Sequence, residues 1–382
     1  MFAPNDGMPM LTGLKVVDMT SIVFGPYCTQ ILADFGAEVT KIEAPGGDFF
    51  RYAGKPAQTK GMGPGFIALN RGKKSVLLDL KDAADAERLQ TMIAEADIFI
   101  HNVRSEAIDR LGFGAEAMRA LNPALIYVHC VGFGSDGPYD GLQAYDDVIQ
   151  AASGATSLLP RVDGNPAPRY LPSLIADKVA GLHAAYAAMA AVIHRMRTDE
   201  GQVVEVPMFE AFTSFIMKEH LAGLTFDPPN AGAGYARQID PDRQPFPTKD
   251  GYISIVPYRP GHFQLVIGLM GDAEFAAQER FSTPQGLTAA LPELYAKIAE
   301  LAPSRTTAEW LDVFREAEIP AMAVRDLDDM LDDPHLDATG FFTASQHPTE
   351  GKIRQTREPS RFSGWKADRL GHAPNLGEHS ED

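Results

Sequence analysis

The feature that most constrains the fold is a regular alternation of short apolar strands with helices in the first half of the chain. Residues 14–19 and 38–43 are rich in β-branched and apolar side chains, and between them Gly25-Pro26 opens a helix that Gly36 closes. Proline suits the first helical turn because its missing N–H needs no partner there, and glycine often follows the last turn. A strand, a helix and a strand in this order predict a parallel βαβ unit with a right-handed crossover.

The same pattern continues through the first 210 residues. Helices separate further strands, which we place at residues 75–80, 98–102, 125–131 and 202–206. This alternation predicts a parallel sheet with helices on both faces, as in a Rossmann-like, doubly wound α/β domain. The Gly- and Pro-rich residues 44–72 and 159–171, and the polar residues from about 341 onward, are expected to form loops.

Residues 225–244 interrupt the pattern, because they are rich in Pro, Gly and Asn. A chain of 382 residues also exceeds the size of one simple core. We therefore expect a second, smaller α+β domain. The expected organisation is an N-terminal part of the large domain at residues 1–224, a linker and small domain at 225–320, and a return segment at 321–382 that completes the large domain.

The charge of the chain limits its partners. Lys and Arg total 34 and Asp and Glu total 51, so the net charge is −17, which suits neither nucleic acid nor an anionic membrane. The most apolar run, residues 179–193, is shorter than the roughly 20 residues of a membrane span, and residues 1–10 do not resemble a signal peptide. Cys28 and Cys130 have no metal-type spacing, so a soluble protein of the reducing cytoplasm is expected.

Residues 172–196 predict a long, Ala-rich buried helix that carries one acid near its start. Ser173 follows a proline and is a candidate N-cap, which places Asp177 in or just after the first turn. Small residues on the same face leave space beside this carboxylate for a ligand; they are Ala180, Gly181 and Ala184. On these residues alone, Asp177 is either a site residue or an acid that complements the helix dipole.

Residues 132–137 match the G-x-G-x-x-G fingerprint of dinucleotide-binding proteins, directly after a strand. That fingerprint needs a helix to begin at its glycines, whereas Pro138 and Gly141 follow here and favour a turn. The first βα turn, residues 21–26, holds a single glycine. We therefore do not expect a nicotinamide dehydrogenase. No metal-binding motif is evident, and lone histidines such as His129 are expected to be structural.

Basic residues are frequent in the loops near the ends of the strands. The carboxyl edge of an open parallel sheet is where ligands bind, and Arg and Lys there suit the phosphates of a bulky cofactor. The candidates are Arg51, Arg71, Lys73, Lys74, Lys81, Arg104 and Arg110. For each of them taken singly, the alternative is an ordinary solvated surface cation.

Several motifs occur in an order and spacing that resemble one known family. They lie at residues 11–18, 25–26, 32–43, 47–48, 70–81, 96–102, 132–139 and 374–379. The chain resembles the class III CoA-transferases, the family of formyl-CoA transferase and carnitine CoA-transferase, which also contains α-methylacyl-CoA racemase. The resemblance implies a Rossmann-like large domain built from both ends of the chain, a smaller domain between them, and two subunits interlocked as a homodimer.

The resemblance also implies roles for particular residues. The family's nucleophilic aspartate matches Asp177, within the pattern at residues 176–181. The positions that contact coenzyme A in the family fall on Val23, Phe24, Leu78, Asp79, Leu80, Lys81, Asn102, Val103, Arg104, Arg110, Gln143, Tyr145 and Asp146. Coenzyme A, as acyl-CoA, is the only cofactor implied, with no metal. Ala44 and Gln143 stand where formyl-CoA transferase has basic residues, and its glycine-rich loop has no clear counterpart near 246–250, which argues against formyl-CoA or oxalate as substrates.

The resemblance leaves two activities open. The racemase branch uses a His-Asp pair where this chain has Tyr145-Asp146, and a tyrosine with a pKa of about 10 is a poor base at neutral pH. We therefore expect a transferase that moves CoA from an acyl-CoA to a small free carboxylic acid, through an aspartyl anhydride and an aspartyl-CoA thioester. Asp177 must then be ionised, which a helix N-terminus favours. The alternatives are a 2-methylacyl-CoA racemase or epimerase and a non-catalytic CoA-binding protein.

Overall fold

A computed structural model describes residues 7–366 and 370–381 of the chain. Residues 1–6, where no signal peptide is expected, lie outside the described residues, as do residues 367–369 and 382 of the expected return segment. The described chain forms two compact units. The first contains residues 7–156, 170–217 and 334 onward, and the second contains residues 157–169 and 218–333. The domain boundaries expected from the sequence stay a prediction.

The first unit contains a six-stranded parallel sheet, which confirms the expected α/β class. Its strands are β1 (Lys15–Met19), β2 (Glu38–Glu43), β3 (Lys74–Leu77), β4 (Ile98–His101), β5 (Ile126–Val131) and β6 (Gln202–Pro207). They are arranged in the order β3-β2-β1-β4-β5-β6, with every neighbouring pair parallel. The order reverses between β1 and β4, which makes this pair the switch point of the sheet.

Helices connect these strands and continue into the second unit. Those up to residue 220 are α1 (Phe24–Asp34), α2 (Pro64–Asn70), α3 (Ala83–Ala94), α4 (Ser105–Arg110), α5 (Ala115–Leu121), α6 (Asp146–Ala152), α7 (Leu158–Asp163), α8 (Ile175–Thr198) and α9 (Met208–His220). Those after it are α10 (His262–Leu269), α11 (Ala273–Ala276), α12 (Pro284–Ala289), α13 (Leu291–Leu301), α14 (Thr307–Glu316) and α15 (Pro334–Ala338). Short 3₁₀ helices lie at Phe49–Tyr52, Ala155–Ser157, Ala222–Thr225, Glu279–Phe281, Ala302–Ser304 and Asp328–Asp332. None of the described helices is long and apolar enough to cross a membrane.

One face of the sheet is covered by α3 and α5. Val17, Phe99 and Tyr127 lie side by side in the register of β1, β4 and β5 and point to the same face. Leu89 of α3 and Met118 of α5 belong to the same buried cluster. Because each of these side chains is almost fully removed from water, each contributes on the order of 1.5–3 kcal/mol to folding.

The α1 and α8 helices pack against each other, and Gly181 permits their close approach. A Cβ atom at this position would lie 2.8 Å from the carbonyl oxygen of Phe24 and 3.0 Å from the Tyr27 ring. Neighbouring Ala180 and Ala184 are fully buried. The small residues of α8 are therefore needed for helix packing.

The second unit has its own sheet and core. Its antiparallel strands, in the order β7-β8-β9, are β7 (Phe246–Pro247), β8 (Tyr252–Ile255) and β9 (Ala321–Ala323). Trp310 and Phe314 of α14 are fully buried in this core, and their rings stack at 5.5 Å. The start of the expected return segment, residues 321–323, pairs with β8 in this sheet.

Three segments expected to be loops contain regular structure, so that expectation is wrong in part. Residues 44–72 include α2, which begins directly after Gly63 with a proline at its first position. Residues 159–171 include most of α7, which ends at Gly164 in the left-handed conformation. The C-terminal part contains a hairpin of β10 (Phe342–His347) and β11 (Gly351–Thr356). Polar residues on both faces of this hairpin conceal its strand pattern.

Gly181→Ala should destabilise the first unit, because its new Cβ atom meets the backbone of α1. We expect a loss of about 1–3 kcal/mol in the free energy of unfolding, as for other overpacked sites. Gly268→Ala in α10 is the matched control, since a Cβ atom there has no neighbour within 4 Å. Alanine should stabilise that helix by up to about 1 kcal/mol. Urea unfolding followed by circular dichroism measures both, and destabilisation of equal size would contradict the packing argument.

Candidate functional site

A cavity lies at the carboxyl ends of β1, β4 and β5, at the switch point where open α/β sheets bind ligands. Its volume is about 240 Å³, and it is lined by residues 21–22, 102–105, 129–133 and 140–145. These segments are the loops that follow β1 and β4, the end of β5, and the turn that leads into α6. The cavity is therefore formed where two neighbouring strands, β1 and β4, lead to connections that run in opposite directions across the sheet.

Two side chains from other parts of the chain hold the loop after β1. Asn102 accepts the N–H of Ser21 with its Oδ1 and donates from its Nδ2 to the Ser21 carbonyl oxygen, each at 3.0 Å. Asp48 accepts the N–H of Ile22 at 3.1 Å. Ile22 has a φ of 75°, which is rare for a β-branched residue and costs about 1–3 kcal/mol. A strained backbone is thus fixed at the cavity wall.

Asp177 lies in the first turn of α8 and is 7% exposed. Its N–H donates to Oδ1 of buried Asp146, in the first turn of α6, at 3.0 Å. Oδ2 of Asp146 accepts a 2.6 Å hydrogen bond from Gln150, which also binds main-chain groups of Leu171 and Ser173. Two carboxylates therefore lie together at the N-terminal ends of two helices. Tyr145, the residue before Asp146, is part of the cavity wall.

Burial, reinforced by the negative charge of Asp146, raises the pKa of Asp177 from 3.8 to about 7. The helix N-terminus, which we expected to favour the ionised form, therefore does not by itself keep Asp177 ionised at neutral pH. The helix dipole contributes only about 0.3–1 kcal/mol, and desolvation together with a like charge outweighs it. Near neutral pH, Asp177 is divided between its acid and carboxylate forms.

The expected cap and the expected ligand space of α8 are both corrected. α8 begins at Ile175, its N-cap is Leu174 without a side-chain cap, and the Ser173 hydroxyl accepts a hydrogen bond from Lys178 at 2.6 Å. The strip of small residues packs against α1 at Gly181, one turn or about 6 Å along the helix from Asp177. Any space for a ligand must therefore lie on the side of the α8 N-terminus.

The residues that the resemblance assigns to CoA fall into three groups. Those on the cavity wall are Asn102, Val103, Arg104, Gln143 and Tyr145. Those that are buried and do not line the cavity are Val23, Phe24, Leu78 and Asp146. Those that are not buried and do not line the cavity are Asp79, Leu80, Lys81 and Arg110. The amide of Asn102 is engaged with Ser21, so it positions the loop. The role of the whole set in CoA binding stays a prediction.

Three of the basic candidates are structural. Arg51 is buried and forms a two-pronged ion pair with Glu43, at 2.6 and 2.7 Å. Arg71 pairs in the same way with Asp34, and buried Lys73 pairs with Asp18 at 3.1 Å. These partners leave no free charge for a ligand. The exposed cations are Lys74, Lys81, Arg104 and Arg110.

The glycine-rich segment after β5 has its amides occupied. The N–H of Gly134 donates to Glu210 at 3.1 Å, and the N–H of Ser135 donates to Glu205 at 3.0 Å. A phosphate-binding loop needs free N–H groups, and these carboxylates would repel a phosphate. The match to the dinucleotide fingerprint therefore has no phosphate-binding geometry.

Sequence reasoning missed three residues of the site. Gln150 lies one helical turn after Asp146, a spacing that could have indicated their hydrogen bond. Asp48 and His129 gave no comparable signal, because the partners of Asp48 and the cavity beside His129 form only in the folded chain. Among residues 7–366 and 370–381, no group of three or more His, Cys, Asp or Glu side chains is arranged to hold a metal ion.

The fold and the site define an α/β protein with a cavity at the switch point of its sheet and a buried carboxylate pair in the first turns of α6 and α8. The chain belongs to CoA-transferase family III, whose family model matches residues 11–380. It is accordingly an enzyme of the CoA-transferase class, and enzymes of this class use CoA thioesters as substrates.

Named relatives agree with this assignment. A succinate–glutarate CoA-transferase of Agrobacterium fabrum is 29% identical over 377 residues, covering 97% of this chain and 94% of its own. A formyl-CoA:oxalate CoA-transferase of Rhodopseudomonas palustris is 28% identical over 397 residues, covering 97% and 92%. Among solved structures, a CaiB/BaiF family protein from Brucella suis is 31% identical with a TM-score of 0.83, covering 98% of both chains. Rv3272 from Mycobacterium tuberculosis is 28% identical with a TM-score of 0.85, covering 98% and 99%.

Asp177→Asn should stabilise the folded protein at pH 8. The pKa of Asp177 is higher in the folded state, about 7, than its ordinary value of 3.8, so the group favours folding at low pH and opposes it once it ionises. A difference of that size corresponds to an upper limit of roughly 4 kcal/mol. Thermal unfolding of both proteins at pH 4 and pH 8 measures this. The gain in stability of Asp177→Asn over wild type should be much larger at pH 8 than at pH 4. Equal gains at both pH values would refute a buried carboxylate with a raised pKa.

Proposed function

We propose that this protein moves CoA from an acyl-CoA to a small free carboxylic acid, with Asp177 as the nucleophile. The observation that carries the proposal is the environment of the Asp177 carboxylate. It is buried, and within the described residues no cation pairs with it and no donor contacts its oxygens. The charge that acts on it is a second carboxylate, Asp146. A buried carboxylate without a cation or a hydrogen-bond donor does not stabilise the fold, so a structural role does not account for Asp177.

Three other buried acids of the sheet domain show the contrast. Asp18 pairs with Lys73, Glu43 with Arg51, and Asp48 with Lys41. Hydrogen bonds from Thr20 and Thr29 also reach Asp18, and its pKa falls to about 2 because these cations and donors outweigh burial. Paired acids of this kind are typical of structural ion pairs, whereas an unpaired acid with a raised pKa is typical of a functional site.

The proposed reaction passes through two covalent states of Asp177. Its carboxylate attacks the thioester carbonyl of the acyl-CoA, the C–S bond breaks, and an aspartyl anhydride and CoA thiolate form. The thiolate then attacks the side-chain carbonyl of Asp177, which releases the donor acid and leaves an aspartyl-CoA thioester. An acceptor carboxylate repeats these steps in reverse order, and the Asp177 carboxylate is restored. Water must be kept from the anhydride, which the burial of Asp177 favours.

The cavity is the proposed site for part of CoA. Its volume of about 240 Å³ lies below the 300–1,000 Å³ typical of whole ligand sites, so the remainder of CoA would extend over the surface. Exposed Lys81, Arg104 and Arg110 follow β3 and β4 on this edge of the sheet. Their charges suit the phosphates of CoA.

We also infer an interlocked homodimer in the cytoplasm, as the family resemblance implies. The outer face of α8 exposes apolar side chains that suit a subunit contact: Leu182, Tyr186, Ile193 and Met196. Cys28 and Cys130 are free, buried thiols, which fit a reducing compartment.

Asp177→Ala should abolish the exchange of CoA between an acyl-CoA and a free acid, because the carboxylate that carries the acyl group is gone. Binding of free CoA should remain within about threefold of wild type, since Asp177 does not line the cavity. The measurement is transfer from acyl-CoA donors to a panel of mono- and dicarboxylic acids, including the succinate, glutarate, oxalate and mesaconate for which relatives are named. Asp147→Ala removes an exposed acid from the same turn of α6 as Asp146 and should retain exchange.

Exchange of CoA by Asp177→Ala at the wild-type rate would contradict the role of Asp177 as the nucleophile.

A second function, 2-methylacyl-CoA racemisation, is favoured by one observation: a carboxyl group with a pKa of about 7 is well suited to proton transfer at neutral pH. Incubation of a 2-methylacyl-CoA in deuterated water separates the two. Deuteration at the α-carbon without an acceptor acid would support the racemase, and binding with neither exchange nor deuteration would indicate a non-catalytic CoA-binding protein.

The rate of exchange should depend on the ionisation of Asp177. Because the carboxylate is the nucleophile, kcat/KM should rise with pH and level off above a midpoint of about 7. Asp146→Asn removes the adjacent negative charge but keeps an oxygen that can accept the N–H of Asp177. The midpoint should therefore move to lower pH. A pH–rate profile of both proteins measures the shift, and an unchanged or higher midpoint in Asp146→Asn would show that Asp146 does not act on Asp177 by charge.

A further inference from the structure

His129 of β5 is one of the residues that line the cavity. Its Nε2 lies 2.9 Å from the carbonyl oxygen of Val103. A carbonyl oxygen only accepts hydrogen bonds, so Nε2 carries a proton. Burial lowers the pKa of His129, although the Val103 carbonyl and the carboxylates of Glu205, Asp109 and Asp140 oppose this effect. The ring is therefore neutral at pH 7, and its Nδ1 is an unprotonated acceptor.

A second histidine holds the ring in place. His101 of β4 stacks on His129 with ring centroids 4.4 Å apart and planes 27° from parallel. The hydroxyl of Tyr127 donates to the Phe113 carbonyl oxygen at 3.1 Å, so it accepts from Nε2 of His101 at 2.7 Å. Burial lowers the pKa of His101 well below its ordinary value. Two neutral rings can stack without charge repulsion, and His129 cannot turn without losing this stack and its bond to Val103.

The Nδ1 atom of His129 is not sealed within the protein. The buried polar atoms that lack a hydrogen-bond partner include Nδ1 of His101 but not Nδ1 of His129. Among residues 7–366 and 370–381, no donor reaches Nδ1 of His129. An atom that has no protein partner and is not sealed from solvent is accessible, and the cavity is the space that His129 borders.

The polar groups of the cavity match the two chemical parts of CoA. Half-buried His129 offers an acceptor, whereas Arg104, on the same wall, is exposed and positively charged. The amide of Asn102 is used by Ser21 and is not free for a ligand. The pantetheine arm of CoA carries amide N–H and hydroxyl donors, and its nucleotide part carries anionic phosphates. A neutral acceptor suits the former, and a guanidinium suits the latter.

We propose that Nδ1 of His129 accepts a hydrogen bond from an N–H or O–H group of the pantetheine arm of CoA. His129 is then a binding residue that fixes how far the arm enters the cavity. This inference rests on the proposed function, because it assumes that the cavity receives CoA. It assigns a ligand contact to a residue outside the set that the family resemblance implies.

Two substitutions separate the two nitrogens of the ring. His129→Gln places an amide N–H near the position of Nε2, so it can still donate to Val103, but it has no acceptor at the position of Nδ1. His129→Asn places an oxygen near the position of Nδ1 but cannot donate to Val103. The Gln variant therefore removes the proposed ligand contact, and the Asn variant removes the structural one.

Calorimetric titration of wild type and both variants with free CoA, and with adenosine 3′,5′-bisphosphate, is the test. His129→Gln should weaken CoA binding about three- to tenfold and leave binding of the bisphosphate, which has no pantetheine, unchanged. His129→Asn should bind CoA within about twofold of wild type. CoA binding by the Gln variant equal to that of wild type, or a larger loss in the Asn variant, would overturn the inference, as would equal losses for both ligands.

A measurement on wild type covers the case in which a variant does not fold. In protein labelled with ¹⁵N-histidine, a hydrogen bond to unprotonated Nδ1 should move the ¹⁵N resonance of His129 upfield when CoA is added. No movement at saturating CoA would contradict the contact. If wild type exchanges CoA but the His129 results are negative, only the proposed His129 contact is contradicted. If wild type binds no CoA, the proposed function is contradicted as well.

Discussion

The hydrogen bond from the N–H of Asp177 to the carboxylate of Asp146 joins the first turns of α8 and α6. The acceptor stabilises both helices, because a carboxylate complements the free N–H groups and the dipole at a helix N-terminus. It also places a negative charge beside Asp177 and so raises the pKa of that residue further than burial does alone. The geometry of the site and the protonation state of its central acid therefore depend on the same contact.

Other buried charges of the sheet domain have partners of opposite charge, unlike Asp177. Glu43 and Arg51 meet through two short hydrogen bonds, and Arg51 also lies 3.7 Å above the Phe66 ring. Lys73 reaches four oxygen acceptors within 3.1 Å. These charges have hydrogen-bond or ion-pair partners, although burial still lowers the pKa of Lys73 to about 8. Asp177 has no such partner among the described residues and opposes folding when it ionises. Asp177 therefore differs from these groups in having no partner of opposite charge within the described chain.

The sequence was sufficient for the parallel α/β class, because strand and helix periodicities alternate clearly, and for the placement of Asp177 in a first helical turn. It was not sufficient for the roles of Arg51, Arg71 and Lys73. Each resembles a ligand-binding cation in the sequence, and only folding brings its carboxylate within reach. His129 illustrates the same limit, since its stack with His101 depends on the register that sets the two residues opposite each other in β4 and β5. The roles of these side chains depend on tertiary contacts, which local sequence patterns do not encode.

The clamp between Asn102 and Ser21 also bears on the order in which the protein folds. It joins residues that are 81 positions apart in the sequence, and the hydrogen bond between Asp48 and Ile22 joins residues that are 26 positions apart. Nothing local favours the left-handed backbone of Ile22, so this loop has no reason to adopt its final shape before β4 lies beside β1. Contacts of such long range form after local ones, since they require the closure of long loops. We therefore expect the cavity wall to be completed after the central strands have paired. Helices should then be present in a partly folded chain before the cavity is formed.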